Sequence, residues 1–372
     1  MIEIKDVSTK KEQKAFLNFP LRLYRGNPNF VPPLYGDEKK IFRPDYHYYE
    51  QAEAKYFLAF RGSEVVGRIS GILQHASNEK WNQRRMRFTR FDCIDDPEVA
   101  AALLDAVEAW AKEKGMREVV GPLGFSDLER EGLLIEGFDE LATFEEQYNF
   151  PYYQRLIESC GYGKDVDWLE HKLYVPDPIN PRFENYATQV MERFHLHFGE
   201  AKNISDFLKR YADQIFDVLD ETYNEIYGTV PFTEKVKKEL VKSFKLIVDL
   251  RFVRIIFDEN NEPVCFGLCL PSISRAVQPS GGKLTLPTIL RILRSVKKPE
   301  IIDLALIGVI PKYRMKGVSS VILYELMQML KENNIAYCET NLNLEENHAI
   351  LNQWKAFDSV QHKRRRCFVK KI

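Results

Sequence analysis

The chain has 372 residues, a length typical of two globular domains. Its 53 basic and 54 acidic side chains give a net charge of -1, so no charge excess favours a nucleic acid or an anionic membrane as a partner. Hydrophobic residues make up 45% and charged residues 29%, which excludes a disordered chain. No apolar run approaches the roughly 18 residues needed to cross a bilayer. The N-terminus lacks an apolar secretory region and the six cysteines lack a framework spacing, which predicts a cytoplasmic protein.

Hydrophobic periodicity predicts alternating strands and helices in the first half of the chain. A period of two marks strands, and spacings of three and four mark helices. The predicted elements are, in chain order, a strand over 2–7, a helix over 11–25, a hairpin over 56–60 and 65–69, a strand over 86–94, a helix over 99–111, a strand over 117–120, a helix over 152–159 and a strand over 168–175.

A proline-rich segment separates the two halves. Three prolines fall within 176–181, directly after a predicted strand, and proline cannot continue the interior of a sheet. We therefore predict an N-terminal domain over 1–175, a linker over 176–193 and a C-terminal domain over 194–372.

The second half repeats the order of the first. Its predicted elements are a strand over 194–198, helices over 204–227 and 233–248, a hairpin over 251–257 and 264–270, an insert containing 288–297, a strand over 301–310, a helix over 318–330, a strand over 335–340, a helix over 348–357 and a strand over 366–369. A hairpin beside a strand–helix–strand unit places antiparallel strands next to a parallel pair. The predicted fold class is therefore α/β, with two tandem domains that each have a mixed, mostly antiparallel sheet and flanking helices.

One segment of the second half has the pattern of a phosphate site. The predicted strand ends at Pro311, and a loop containing Lys312, Arg314 and Lys316 leads to Gly317, where a helix begins. Amides at a helix N-terminus lack intrahelical partners, and the helix dipole favours an anion there. Glycine lets a ligand approach the backbone closely. The segment therefore predicts a pyrophosphate site.

These residues resemble the signature of the GNAT superfamily of acyl-CoA-dependent N-acyltransferases. That signature is a strand ending in an L-x-V-x-P-like run, followed by [QR]-x-x-G-x-[GA] at the start of a helix. The run 306–311 is similar to the first part, and Arg314, Gly317 and Ser319 occupy the signature positions, with Ser319 in place of the usual glycine or alanine. The resemblance implies tandem GNAT-like domains, with acetyl-CoA or another acyl-CoA as co-substrate. It implies CoA contacts from Val309, Arg314, Met315, Lys316, Gly317, Val318, Ser319, Ser320 and Asn347.

The equivalent turn of the first half is acidic. It contains Asp95, Asp96 and Glu98 at the start of the predicted helix. Acidic residues cap a helix N-terminus well but repel a pyrophosphate. We therefore predict that the N-terminal domain has no CoA site.

Alternating polar residues follow the strand predicted over 335–340. Glu339, Asn341, Asn343 and Glu345 are spaced two apart and would point to one common face. In the GNAT arrangement this strand splays from the strand that ends near Val309, and the acyl chemistry lies in the gap. The alternative is that these residues form a polar strand end entering a loop.

Glu339 is the predicted general base, because it sits where the strand lines that gap. Burial against Tyr337 and Trp354 would raise its pKa, and Asn341 would orient it. No tyrosine occupies the positions where many GNAT members keep the proton donor, so the general acid stays unassigned.

The predicted function is an acyl-CoA-dependent N-acyltransferase, or acetyltransferase, acting on a small-molecule or peptide amine. The alternatives are a non-catalytic CoA-binding or regulatory protein and a Fem-type aminoacyl transferase, the latter supported by the basic run 363–366. That run also fits a solvated edge strand. No membrane or nucleic-acid partner is expected. No metal is expected either, because His195 and His197 have no evident third ligand.

Overall fold

A computed structural model describes residues 1–372, which form two compact units. Unit 1 comprises Met1–Leu169, Ser274–Ile289 and His362–Ile372, and unit 2 comprises Glu170–Ile273 and Leu290–Gln361. Both units mix strands with helices, which confirms the predicted α/β fold class.

The first elements of the chain follow the predicted order closely. They are β1 (Ile2–Asp6), α1 (Lys10–Leu23), α2 (Tyr35–Glu38), β2 (Ala52–Arg61), β3 (Glu64–Gln74), α3 (His75–Lys80), β4 (Arg85–Cys93), α4 (Pro97–Glu113), β5 (Glu118–Gly121), β6 (Leu133–Glu136), α5 (Tyr152–Ser159) and β7 (Gly163–Tyr174).

The remaining elements repeat this order. They are α6 (Pro181–Arg193), β8 (His197–Phe198), α7 (Ile204–Tyr223), α8 (Glu234–Phe244), β9 (Val253–Phe257), β10 (Pro263–Pro271), α9 (Ser274–Val277), α10 (Leu286–Lys297), β11 (Ile301–Val309), α11 (Val318–Glu332), β12 (Tyr337–Thr340), β13 (Asn343–Leu344), α12 (His348–Gln353) and β14 (Asp358–Lys371). None of the helices is both long enough and apolar enough to traverse a membrane.

Burial follows the predicted helical stripes. In α4, Val99, Leu103 and Val107 recur every four residues and are fully buried. In α11, Ile322 and Leu326 are buried at the same spacing. These stripes attach each helix to its sheet, because burying a leucine-sized side chain stabilises the fold by about 1.5–3 kcal/mol.

The sheets of the two units have the same pairing pattern. In unit 1 the antiparallel series β1-β2-β3-β4 is followed by β5, parallel to β4, and then by β14, antiparallel to β5. In unit 2 the antiparallel series β8-β9-β10-β11 is followed by β12, parallel to β11, and then by β7, antiparallel to β12. Each unit therefore contains one parallel pair beside a run of antiparallel strands.

The units differ from the predicted domains in where their last strands come from. The final strand β14 pairs with β5 of unit 1, from Phe368 opposite Gly121 to Lys371 opposite Glu118. The sheet of unit 2 ends instead on the second part of β7, where Leu173 lies opposite Cys338. Residues His362–Ile372 therefore belong to unit 1 and not to the domain predicted over 194–372.

The predicted linker over 176–193 also differs from the structure. Most of it is the helix α6, which begins because the Asn180 side chain accepts a hydrogen bond from the Arg182 amide at 3.0 Å and Pro181 occupies the first helical position. The last of the three prolines that marked a boundary in the sequence thus starts a helix.

The basic run 363–366 is neither a solvated edge nor a free cationic patch. Lys363 and Arg365 are buried, and Arg366 donates from Nε to Oδ1 of Asp167 at 2.8 Å. Arg364 donates to the other oxygen of Asp167 at 3.1 Å. The run is therefore packed into unit 1, where Asp167 compensates the charges of Arg364 and Arg366.

Candidate active site in unit 2

Strands β11 and β12 separate partway along their length. They pair in parallel from Ile301 opposite Tyr337 to Leu304 opposite Thr340. The last hydrogen bond of the pair runs from the Asn341 amide to the Leu304 carbonyl at 3.2 Å. Beyond this point β11 continues over 305–309 and is paired only with β10 on its other side. We call the space left beside 305–309 the strand gap.

Two side chains close the edge of β11 that faces the strand gap. The Tyr223 hydroxyl, at the end of α7, donates to the Ile307 carbonyl at 3.1 Å and accepts from the Ile307 amide at 3.3 Å. The Arg314 guanidinium donates from Nε to the Val309 carbonyl at 3.3 Å and to the Thr222 carbonyl at the same distance. Alternate residues of an antiparallel strand present their backbone groups to the same side, so those of Ile307 and Val309 both face the strand gap. Of these groups, the Val309 amide is the one that Tyr223 and Arg314 do not contact.

The turn after β11 ends at an uncapped helix. Gly317 has φ +83°, and no side chain caps α11, which begins at Val318. The Ser320 amide donates to the Gly317 carbonyl at 2.9 Å, within the first turn. The amides of Val318 and Ser319 therefore remain at the helix start as donors for an anion.

Tyr186 of α6 stands over this helix start. A Cβ atom added to Gly317 would collide with the Tyr186 hydroxyl, so the half-exposed Tyr186 side chain would have to move. Glycine is favoured here chiefly by its backbone conformation. The Tyr186 hydroxyl is a further neutral donor beside the uncapped amides.

The cations of the loop point in different directions. Lys312 lies 3.9 Å from Oδ2 of the buried Asp258. Lys316 lies over the ring of Tyr313, with Nζ 5.1 Å from its centre. Hydrogen bonds from the amides of Asn260 and Glu262 to Asp258 outweigh its burial and hold the pKa of that carboxyl below its usual value. Lys312 is therefore partly paired with a carboxylate that stays ionised. Met315, at the tip of the loop with φ +60°, is fully exposed.

Three of the other predicted site residues make local structural contacts. Asn347 caps α12 by accepting from the Ile350 amide at 3.3 Å. The Asn341 side chain accepts from the adjacent Leu342 amide at 2.9 Å, a local turn contact. Asn343 accepts from the Trp354 indole at 2.8 Å. The polar side chains of Asn341, Asn343 and Asn347 therefore stabilise a turn, a tryptophan and a helix start.

Glu339 is buried in β12, as predicted, but on a different face from Trp354. Trp354 belongs to the core cluster that contains Cys338, and adjacent residues of a strand point to opposite faces. Directly opposite Glu339 on the neighbouring strands lie Asp303 of β11 and Lys172 of β7. In register, Glu339 thus has an acidic residue on one side and a basic residue on the other, one position from the point where the strand gap opens.

The equivalent helix start in unit 1 is satisfied by its own residues. The Asp96 side chain accepts from the Glu98 amide at 2.9 Å and also pairs with Arg61. The hydrogen bond from Arg61 lowers the pKa of Asp96. A carboxylate thus occupies the position where an anion would bind at α11.

The positions of Tyr223 and Tyr186 beside the strand gap and the start of α11 could not be predicted from the sequence. Tyr223 is 84 positions away from Ile307, and its helix shows only an ordinary amphipathic pattern. No spacing rule connects a residue on α7 with the edge of β11, so only the three-dimensional structure places them together.

The conformation of Gly317 leads to a stability prediction. Gly317→Ala is expected to lower the free energy of unfolding by about 2–4 kcal/mol, from the positive φ and the contact with Tyr186 together. Gly26→Ala is the matched control, because Gly26 has φ +82° but nothing within 4 Å of the added Cβ. Chemical denaturation of both variants measures the difference. Equal losses would show that the Tyr186 contact carries no cost.

The fold is similar to those of solved structures. It matches a tandem GNAT protein from the clavulanic acid biosynthesis pathway over 100% of this chain and 98% of that chain, with a TM-score of 0.58 and 10% sequence identity. The chain therefore has the tandem GNAT fold, which confirms the resemblance seen in the sequence.

Two curated proteins are similar in sequence. The chain is 27% identical over 376 residues to Protein YghO of Escherichia coli, covering 98% of this chain and 94% of that protein. It is 29% identical over 284 residues to the bacterial ceramide synthase of Caulobacter vibrioides, covering 75% of this chain and 72% of that protein. No protein-family model matches the chain.

Proposed function

We propose that the chain is an acyl-CoA-dependent N-acyltransferase and that the reaction takes place at the strand gap of unit 2. The observation that carries the proposal is the gap itself, where β11 extends over 305–309 without a partner strand on that side. The strand leads directly to the uncapped start of α11. A thioester bound there would have backbone donors for its carbonyl and an anion site for its distant phosphates.

The turn at Gly317 is the proposed pyrophosphate site. The amides of Val318 and Ser319 point out of the helix start, and Lys316 adds positive charge. The two bonds that Arg314 makes to carbonyl oxygens are long, at 3.3 Å, and a phosphate offers the guanidinium an anionic acceptor in place of neutral ones. Arg314 would therefore exchange backbone carbonyls for phosphate when CoA binds.

The proposed chemistry is direct transfer of the acyl group to a neutral amine. A C–N bond forms as the C–S bond breaks, the nitrogen gives a proton to Glu339, and the departing sulfur takes one from the Tyr223 hydroxyl. Solvent then returns the proton from Glu339 to Tyr223, which balances the reaction as amide plus thiol. The Val309 amide, which faces the gap, would hold the thioester carbonyl.

The proposed acceptor is a long-chain amino alcohol. The support is the similarity to a protein named as a bacterial ceramide synthase, because a ceramide is a fatty-acyl amide of such an amine. Acyl transfer from palmitoyl-CoA to a long-chain amino alcohol, compared with acetyl-CoA and a short amine, tests this acceptor directly.

The structure bears differently on the two alternative functions, a Fem-type aminoacyl transferase and a non-catalytic CoA-binding protein. The Fem-type alternative depended on the basic run 363–366, in which Arg364 and Arg366 pair with Asp167 inside unit 1. A non-catalytic CoA-binding protein is favoured by one observation, that Tyr223 and Arg314 already occupy the edge of β11. CoA binding without acyl transfer to any amine would support that second function.

Calorimetric titration with CoA tests the binding site. Arg314→Ala is expected to weaken CoA binding by roughly 10–150-fold, because it removes a charge-assisted hydrogen bond worth about 1.5–3 kcal/mol. Arg61→Ala, which removes the cation at the equivalent turn of unit 1, should leave the affinity unchanged. Unaltered affinity in Arg314→Ala, or a second CoA lost in Arg61→Ala, would contradict the assignment to unit 2.

A further inference from the structure

Helix α10 presents a row of leucines to solvent. Leu286, Leu290 and Leu293 lie four and three positions apart, on one side of the helix, and are 71%, 58% and 47% exposed. With Leu284, they account for four of the ten large hydrophobic side chains that the whole chain exposes. Isolated exposed leucines are common, but a continuous row on one helix marks a surface that binds something.

The same helix is fixed to the protein by its opposite side. Thr288 and Ile292 are fully buried, and they lie on the side away from the leucine row. The leucine row is therefore not the face by which α10 packs against the protein core. It is a second apolar face on a helix that is already packed.

The charged residues of the segment that contains the leucine row are all positive. The segment 283–298 contains no aspartate or glutamate, and it carries Lys283, Arg291, Arg294, Lys297 and Lys298. The whole chain, by contrast, has a net charge of -1. Arg294, Lys297 and Lys298 are exposed, and Lys297 continues the line of the leucine row one turn beyond Leu293.

We propose that α10 binds the surface of an anionic phospholipid bilayer. The leucine row enters the boundary between headgroups and acyl chains, while the flanking cations lie at the level of the lipid phosphates. The long stems of Lys297 and Arg294 let their charges reach the headgroups as the leucines insert. A protein partner with an acidic groove would need a matching shape, whereas a bilayer needs only this combination of exposed leucines and cations.

Surface binding is a different property from spanning. An interfacial helix needs one apolar face and a basic flank, and α10 has both without the length or overall apolarity of a spanning segment. The proposal revises the sequence-based expectation of no membrane partner, which rested on the global charge and the absence of a long apolar run. It stands on α10 alone and does not depend on the proposed acyl transfer.

Vesicle flotation with the full chain tests the proposal. The wild type is expected to float with vesicles of phosphatidylcholine mixed with phosphatidylglycerol and to bind phosphatidylcholine vesicles more weakly. The double variant Leu290→Ser/Leu293→Ser should lose roughly 10–100-fold in affinity for the mixed vesicles. Leu246→Ser is the control, because Leu246 is an exposed leucine, at 37%, outside this segment.

The charge variant gives an independent measurement. Arg294→Ser/Lys297→Ser should weaken binding to the mixed vesicles by about fivefold for each cation removed, and less at high salt. It also keeps the test decisive if the leucine variant fails to fold. The proposal is overturned if the wild type does not bind the anionic vesicles or if the variants bind them as tightly as the wild type. It is equally overturned if the leucine variant only converts a dimer to a monomer in sedimentation.

Discussion

Glu339→Gln is expected to lower kcat/KM for acyl transfer by about 10²–10⁴-fold, the usual contribution of a general base. An amine must lose its proton to become an amide, and a lysine-like amine is mostly protonated near neutral pH, with a pKa of about 10.4. Glutamine keeps the shape of the buried side chain and removes only its ability to take a proton. CoA affinity should therefore stay within about twofold of the wild type, because the substitution does not change the residues proposed to contact CoA.

The pH profile separates catalysis from structure in this variant. A general base gives the wild type a rise of kcat/KM with pH, and Glu339→Gln should lose that rise rather than shift it. Glu345→Gln tests the competing base on the same chain segment, and the exposed Glu346 provides the surface control as Glu346→Gln. Full activity in Glu339→Gln, or loss of the rise in Glu345→Gln instead, would move the role to Glu345 or to water.

The backbone of the turn at Gly317, the proposed pyrophosphate site, was largely predictable from the sequence. A buried strand, a proline, a basic loop and a glycine before an apolar helix can satisfy their backbone groups in few ways, and Gly317 has the positive φ that favours glycine. The loop cations were less predictable. Lys312 approaches Asp258, which is 54 positions earlier in the chain, so its direction is set by a long-range contact that no local pattern reveals.

The alternation of polar residues along β12 predicts that their side chains share a face, but it does not predict which residues surround Glu339. Its burial was foreseen, because a short strand between apolar segments is usually interior. The face that Trp354 covers was not, since it depends on how the segment after α12 packs, and Trp354 joins the cluster containing Cys338. The partners Asp303 and Lys172 come from register with two other strands, which the sequence does not specify.

The origin of the last strands could not be inferred for a similar reason. A strand supplies backbone donors and acceptors that any sheet edge can satisfy, so its sequence alone does not identify its partner. In the structure, the charged residues of β14 show most clearly that this strand belongs to unit 1, because Arg366 and Asp167 compensate each other there. Reading such a run as solvated follows from its composition and is wrong because of its contacts.

Tyr223→Phe is expected to lower kcat by about 10²–10⁴-fold if the hydroxyl protonates the departing sulfur. Phenylalanine keeps the ring against α7 and β11 but removes the group that contacts both backbone atoms of Ile307. The free energy of unfolding should fall by about 1–3 kcal/mol, the usual net value of two lost hydrogen bonds. CoA affinity should be unchanged or higher, because the edge of β11 is then open to the substrate.

The choice of acyl donor distinguishes a proton donor from a merely structural hydroxyl. An ordinary thiol has a pKa of about 8.5 and leaves more easily when protonated, whereas an acidic aryl thiol leaves as its anion without help. The ratio of wild-type to Tyr223→Phe rates should therefore be large with acyl-CoA and close to one with an acyl aryl thioester. Tyr211→Phe is the matched control, because Tyr211 lies on the same helix and donates to the Glu200 carbonyl at 2.9 Å. The same ratio with both donors would assign Tyr223 to holding β11, since a hydroxyl that only positions the strand affects every leaving group equally.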